Sequence, residues 1–331
     1  MEVITRMYNV QTQSPVENNL KLRIEPFRPE REKEYTELDK LIFGDNQFFG
    51  INHMSNEKAQ SQAVRFKDSE TIIKVIDNAY NAGIHAFMFN THDRVSELCD
   101  HFRAYPDRYS DMRLYPSLPY AHKYANAVNE SGMLGALNEF IFSGRSAKQA
   151  ISTIIQGGKS IIKKDMIEVM KMLIDAEMRM FRGLRIKAVF LQNIITDLLL
   201  GLGVREVFIE FANHVKKKYG VEAAFNTANM PVLVDFLLDC GIDNPIVCAS
   251  INKVGFAMNP NQSECERALA EKPFRAIAMA IFASGAVPPK EAIEYICNLP
   301  NIRTIIFGAS SREHIVDTMN MIYSCRQEKQ Q

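Results

Sequence analysis

The sequence contains no tryptophan, no long apolar run and no excess of charge of either sign. Lysine plus arginine number 39, and aspartate plus glutamate also number 39, so the formal net charge is zero. A neutral surface attracts neither a phosphate backbone nor an anionic membrane. No segment approaches the roughly 18 consecutive apolar residues of a membrane span. We therefore expect neither a nucleic-acid-binding protein nor a membrane protein.

Cysteine patterns typical of a metal or redox site are also missing. The six cysteines are scattered, without a CxxC motif or the Cys/His spacing of a zinc site. The first 26 residues carry charges throughout and lack the apolar core of a secretory signal. We expect reduced thiols, a cytoplasmic location and no bound metal.

Short apolar segments alternate with longer amphipathic segments along the chain. Strands that alternate with helices form a parallel sheet covered by helices. Eight such units favour closure into a (β/α)₈ TIM barrel, and the lack of GxGxxG after the first strand counts against an open dinucleotide-binding sheet. The predicted strands are Lys40–Gly44, His85–Asn90, Arg113–Ser117, Lys187–Gln192, Glu222–Asn226, Ile246–Ile251, Arg275–Ile281 and Arg303–Gly308.

Three amphipathic segments carry start signals of helices, because a serine or asparagine precedes the apolar stripe. The predicted helices are Asp68–Ala82, Pro231–Cys240 and Arg312–Met321, with Ser69, Asn229 and either Ser310 or Ser311 as their respective N-caps.

One interval is too long for a single crossover. About seventy residues separate the third strand from the fourth, where a crossover needs about thirty. We predict a helical insertion over residues 129–182, with a long helix at Lys164–Arg182. It is either a surface elaboration or a lid over the barrel mouth. The remaining boundaries are an N-terminal extension at 1–39, with a short strand at Leu20–Ile24 that closes the barrel bottom, a barrel at 40–325 and a tail at 326–331.

Three stretches resemble the aldo-keto reductases. Within Glu70–Leu98, a helix followed by Ala-Gly-Ile and a strand resembles the family's segment ending in Phe-Asp-Thr-Ala. Phe208–Pro260 resembles its Gly-Val-Ser-Asn-Phe stretch and following strand, and Ile305–Thr318 resembles its closing Pro-Gly-Ala segment. The stretches cover about half the chain in the family's order. The resemblance implies a barrel that uses NADP to reduce a carbonyl group.

The family's catalytic residues are not present at the matching positions. Its aspartate falls on Asn90 and its tyrosine on Val95, while the strands that should end in lysine and histidine read Leu114–Leu118 and Val189–Asn193. In the family, tyrosine protonates the carbonyl oxygen. Because valine cannot transfer a proton, we do not expect carbonyl reduction by these positions, and a reductase would need a different acid.

Barrel enzymes place their sites at the carboxyl ends of the strands. Amides, which orient a polar ligand by donating and accepting, dominate the predicted substrate contacts: Asn46, Gln47, Asn90, Gln192 and Asn226. The candidate acids and bases are Asp45, His92, Asp93, Tyr120 and His122. His92 and Asp93 form either a base–carboxylate pair or helix caps. A metal site built with His53 and His122 lacks supporting spacing.

Lys253 follows the sixth strand. In an apolar mouth its pKa would be lowered by desolvation, which favours Schiff-base chemistry; the alternative is a surface lysine paired with a carboxylate. In the resembling family this region contacts the nicotinamide, which implies cofactor contacts from Asn252 or Lys253.

The segment after the eighth strand indicates an anion site. Free N–H groups at a helix start attract phosphate, and in the resembling family this segment meets the adenosine phosphate of NADPH. The matching residues are Gly308, Ser310, Ser311, Arg312 and His314. An ordinary serine-capped helix is the alternative.

Three functions are consistent with these residues. The favoured one is an atypical NADP-dependent oxidoreductase that acts on a small polar carbonyl compound or a phosphorylated metabolite. The others are a cofactor-free lyase or isomerase that uses Lys253, and a non-catalytic barrel that binds a metabolite or a protein.

Overall fold

The computed structural model describes residues 35–50, 56–120 and 159–328. Its eight parallel strands close into a barrel in sequence order, as predicted. Each observed strand begins and ends within two residues of its predicted first and last residue. The strands are β1 Leu41–Phe43, β2 Ala86–Asn90, β3 Arg113–Leu118, β4 Ala188–Leu191, β5 Glu222–Asn226, β6 Ile246–Ser250, β7 Arg275–Met279 and β8 Ile302–Phe307.

Ten helices accompany these strands in the described part of the chain. They are α1 Asn56–Arg65, α2 Ser69–Asn81, α3 Asp93–Ala104, α4 Lys159–Met178, α5 Asn193–Leu202, α6 Arg205–Tyr219, α7 Met230–Asp239, α8 Gln262–Glu271, α9 Pro289–Asn298 and α10 Arg312–Glu328. None of them is long and apolar enough to cross a bilayer. The expected cytoplasmic location stays a prediction.

The helix starts correct one prediction and confirm another. Asp68, and not Ser69, caps α2, because its extended backbone lets the carboxylate accept the N–H of Thr71 at 2.8 Å. Ser311 caps α10, since its Oγ accepts the N–H of His314 at 3.3 Å. Asn229 occupies the N-cap position of α7, but its side chain makes no capping bond.

The predicted insertion is only partly visible. Helix α4 ends at Met178, and a 3₁₀ turn at Arg179–Phe181 completes the segment predicted to be helical up to Arg182. Residues 129–158 and the strand proposed at Leu20–Ile24 lie outside the described residues. At the other end of the chain, α10 continues to Glu328, past both Met321 and the expected start of the tail at 326.

Side chains in the strands alternate between the helices and the barrel interior. The inward side chains form a separate apolar cluster, which includes Ile42, Met88, Tyr115, Phe190, Cys248 and Ile306. The segment just before β1 closes the bottom: Leu38 packs against this cluster, and the hydroxyl of Tyr115 donates to Asp39 at 2.5 Å.

The same alternation decides which residues reach the mouth. Side chains two positions apart on a strand point to the same side. Met88, Phe190 and Ala224 point inward, so the residues two positions after them must also point inward: Asn90, Gln192 and Asn226. Hydrogen bonds between strands that are not neighbours confirm this direction: Gln192 bonds Asn90, and Asn226 bonds Ser117. A polar layer therefore covers the apolar interior.

Candidate active site at the barrel mouth

Asp45 is a buried acid in this layer. It follows β1, and only 3% of its surface is exposed. Its carboxylate accepts the backbone N–H of Asn90 at 2.7 Å and the side-chain amide of Asn90 at 3.1 Å. Burial raises the pKa of Asp45 from 3.8 to about 7, although the hydrogen bonds from Asn90 oppose the shift. Asp45 can therefore exchange a proton near neutral pH.

Amide side chains extend the network across the barrel. The amide of Gln192 donates to Asn90 Oδ1 at 3.4 Å, and that of Asn226 donates to Ser117 Oγ at 2.9 Å. Ser117 and Asn90 are paired residues on neighbouring strands, so the two hydrogen-bonded groups lie side by side. The structure thus brings three of the predicted substrate contacts close together, and one of them, Asn90, contacts Asp45.

Tyr120 is the second acid at the mouth. It follows β3 and is buried. Burial raises the pKa of its hydroxyl, and the negative charges of Asp45 and Asp93 raise it further. Tyr120 therefore lies near both carboxylates and stays protonated at neutral pH. Its ring centroid is 5.8 Å from that of His92.

His92 and Asp93 have the capping arrangement that was the alternative to a catalytic pair. The Nδ1 atom of His92 accepts the N–H of Arg94 at 3.3 Å at the start of α3, and Asp93 is exposed in the first turn. The His92 ring stacks on Phe49 at 4.3 Å. Because Nδ1 is an acceptor here, the neutral ring carries its proton on Nε2.

Lys253 does not have the surroundings that Schiff-base chemistry needs. Its side chain is 48% exposed, and its Nζ lies 2.6 Å from the carboxylate of Glu291. This is the surface ion pair considered as the alternative, and the amine does not lie in an apolar pocket. Asn252 is turned into its own loop, where its amide both donates to and accepts from the backbone of Phe256 at 2.8 Å. Neither geometry supports the cofactor contact inferred for this region.

The residues predicted to form an anion site after β8 lie at the start of α10. Gly308, Arg312 and His314 are exposed there. A second cation reaches this loop, since the guanidinium of Arg65 in α1 donates to the carbonyl of Ser310 at 2.8 Å. The first-turn N–H groups of a helix and two nearby arginines favour an anionic ligand.

Gln47 links this loop to β1. Its side chain is buried, and its amide donates to the carbonyl of Gly44 at 2.8 Å. A Cβ atom added at Gly308 would lie 2.1 Å from Gln47 Oε1, so the side chain of Gln47 occupies the space that glycine leaves. A predicted substrate residue and a predicted cofactor residue are thus in contact. Asn46, also predicted to bind substrate, is exposed in the short turn after Asp45.

Glu177 is a site residue that the sequence analysis missed. It lies in α4, and its buried carboxylate accepts the hydroxyl of Thr91 and the backbone N–H of Tyr120, the latter at 3.1 Å. Helical spacing gives one signal for it, since Glu177 stands three residues after Ile174 and seven after Met170, which are both buried on the same face of α4.

The geometry supports neither proton transfer from the position of the family's tyrosine nor a metal site. Val95, at the position of the family's tyrosine, is fully buried in α3. Within residues 35–50, 56–120 and 159–328, no three histidine, cysteine, aspartate or glutamate side chains are placed to hold a metal ion. His53 and His122, considered as metal ligands, lie outside these ranges.

Comparison with known proteins concerns the fold. Neither a protein-family model nor a curated protein matches the sequence. Two solved structures from Pseudomonas aeruginosa, both described as aldo-keto reductases, superpose on this chain with TM-scores of 0.51 and 0.52. They are 12% and 13% identical to it, and each alignment covers 86% of this chain and 90% of the other. The chain therefore has the (β/α)₈ barrel fold of the aldo-keto reductases, as the sequence resemblance implied.

Proposed function

We propose that this protein is an NADP-dependent oxidoreductase that reduces a small polar carbonyl compound, with Asp45 as the proton donor in place of the family's tyrosine. One observation carries the proposal: a buried carboxyl group with a pKa of about 7 stands at the mouth of an aldo-keto-reductase-like barrel. An acid whose pKa is close to the working pH is the most effective proton donor.

The chain's own residues supply the proton and its stabilisation. Asp45 in its protonated form donates to the carbonyl oxygen, and the Tyr120 hydroxyl donates a hydrogen bond to the same oxygen. The Asp45 carboxylate left behind keeps the two hydrogen bonds from Asn90. A bound nicotinamide would supply the hydride that reaches the carbonyl carbon, which completes reduction to an alcohol.

The start of α10 fits the phosphate end of such a cofactor. Gly308 exposes its backbone, Ser311 caps the helix, and Arg65 and Arg312 add positive charge beside the helix start. These residues, with Ser310 and His314, would hold the adenosine phosphate. The amides of Asn90, Gln192 and Asn226, together with Asn46 and Gln47, would bind the polar groups of the substrate.

Cofactor binding tests the first half of the proposal. Since the protein has no tryptophan, fluorescence of the reduced nicotinamide can be followed directly during titration with NADPH and NADH. We expect saturable binding, and Arg312→Ala should weaken NADPH binding roughly tenfold through loss of a charge-assisted hydrogen bond. Lys290→Ala is the control, because this lysine is 84% exposed on α9. A flat titration of the unaltered protein with both nucleotides would contradict the proposal.

Turnover tests the second half. NADPH oxidation should be followed with a panel of small hydroxylated aldehydes and ketones, some of them phosphorylated. With a substrate found in this way, Asp45→Asn should lower kcat by at least about 100-fold, the usual contribution of a positioned acid. Retention of full activity by that variant would remove Asp45 from the reaction.

A further inference from the structure

The carboxylate of Glu177 joins two loops at the barrel mouth. It accepts the hydroxyl of Thr91, which directly follows Asn90, and the backbone N–H of Tyr120, which follows β3. Glu177 itself belongs to α4 and is only 5% exposed. One side chain from a helix therefore contacts Tyr120 and the residue that follows Asn90, the two neighbours of Asp45.

Such a carboxylate is costly to bury unless donors compensate for its lost water. Here the donors come from two different strand ends, so the hydrogen bonds form only when both loops have this arrangement. The arrangement places Asn90 against the Asp45 carboxylate and Tyr120 close enough for the charge of Asp45 to influence its hydroxyl. Glu177 is thus connected to Asp45 on two sides through intervening residues.

We infer that Glu177 is a positioning residue, which keeps water away from Asp45 and holds Tyr120 beside it by fixing Thr91 and Tyr120, which follow the ends of β2 and β3. The inference rests on the proposed function for the role of Asp45 as proton donor. Tyr120 is the titratable group that feels the charge of Asp45, and Tyr120 itself is surrounded by Asp93, the His92 ring and Glu177.

Loss of the Glu177 carboxylate should release Thr91 and Tyr120 and admit water to Asp45. Because desolvation is the largest cause of the raised pKa of Asp45, hydration should move this pKa back toward 3.8. A substitution that only weakens the packing of α4 should not have this effect.

The chain offers a matched control two residues earlier on the same helix. Asp175 also accepts several hydrogen bonds, from Lys218 and Tyr219 at 2.6 Å each and from His214 at 2.8 Å. These contacts tie α4 to α6 on the outside of the barrel. Asp175→Asn therefore removes carboxylate contacts from α4 without touching the mouth.

The experiment follows the carboxyl carbon of Asp45 by NMR in the full chain labelled with ¹³C-aspartate. The resonance is identified by its absence in Asp45→Asn. We expect Glu177→Ala to lower the midpoint of the Asp45 titration by about one pH unit or more, while Asp175→Asn leaves it unchanged. Thr91→Val, which removes one of the two hydrogen bonds with little change in shape, should give a smaller shift in the same direction.

Two results would overturn the inference: an unchanged midpoint in folded Glu177→Ala, or equal shifts in Glu177→Ala and Asp175→Asn. If Glu177→Ala does not fold, Thr91→Val is the deciding variant. An unchanged Asp45 midpoint in Thr91→Val would likewise overturn the inference. The titration needs neither cofactor nor turnover. A shifted midpoint in a protein that fails to bind NADPH would therefore leave the role of Glu177 intact and refute only the oxidoreductase proposal.

Discussion

Replacement of Asp45 by asparagine should change how the stability of the protein depends on pH. The carboxyl group titrates at about 7 in the folded chain and at 3.8 as a free group. Between these values the folded protein holds a proton that the unfolded chain has released, so the free energy of unfolding falls as pH rises. Below 3.8 both states are protonated, and above about 7 both are ionised.

The size of this effect follows from the difference in pKa. About three pKa units at about 1.4 kcal/mol each correspond to a loss of at most about 4 kcal/mol between pH 4 and pH 8. Asp45 is 3% exposed, so solvent screening reduces this value little in the closed barrel. Local opening that hydrates the carboxylate would make the measured loss smaller.

The assay is urea unfolding at several pH values from 4 to 8 for the unaltered protein and Asp45→Asn. Other titrating groups contribute equally to both proteins, so the difference between them isolates Asp45. We expect the variant to gain stability relative to the unaltered protein as pH rises through this range. The test is how the difference in unfolding free energy between the two proteins changes with pH. The size of this difference at one pH is not the test, because the asparagine amide also changes the hydrogen bonds to Asn90 by an amount that does not depend on pH. Parallel curves would refute the burial argument.

Two further predictions concern stability away from Asp45. Gly308→Ala should displace the side chain of Gln47 and break its hydrogen bond to Gly44, which should lower the stability measured by thermal unfolding by about 1 kcal/mol. The control is Gly201→Ala in α5, where an added Cβ meets nothing within 4 Å, so that this variant should be neutral or slightly more stable. Equal losses at both glycines would show that Gln47 is not displaced. At the barrel bottom, the buried guanidinium of Arg275 donates to the carboxylate of Glu222 at 2.6 Å. Glu222→Gln removes this anion and should lower the free energy of unfolding by about 3 kcal/mol. A loss below about 1 kcal/mol would show that water replaces the carboxylate.

Local patterns are sufficient to predict the strands and their order. An apolar run such as Ile246–Ser250, followed by polar residues and a helix with its own apolar stripe, depends only on near neighbours in the sequence. Alternation of side chains along a strand then places Asn90, Gln192 and Asn226 at the mouth. The strands of the barrel and most of its polar layer therefore follow from local sequence patterns alone.

Contacts between distant segments decided the burial and the charge environment of these residues. Asp45 is an acid with a pKa near neutrality only because the closed barrel excludes water from it, and desolvation cannot be read from the residues beside it in the chain. Lys253 forms a surface ion pair because α9 presents Glu291 to it, 38 positions later. Glu177 reaches Thr91 across 86 positions. The sequence by itself determined which polar residues end the strands, because strand periodicity is local; the tertiary structure decided which of them can move a proton, because burial and charge depend on every element that packs around them.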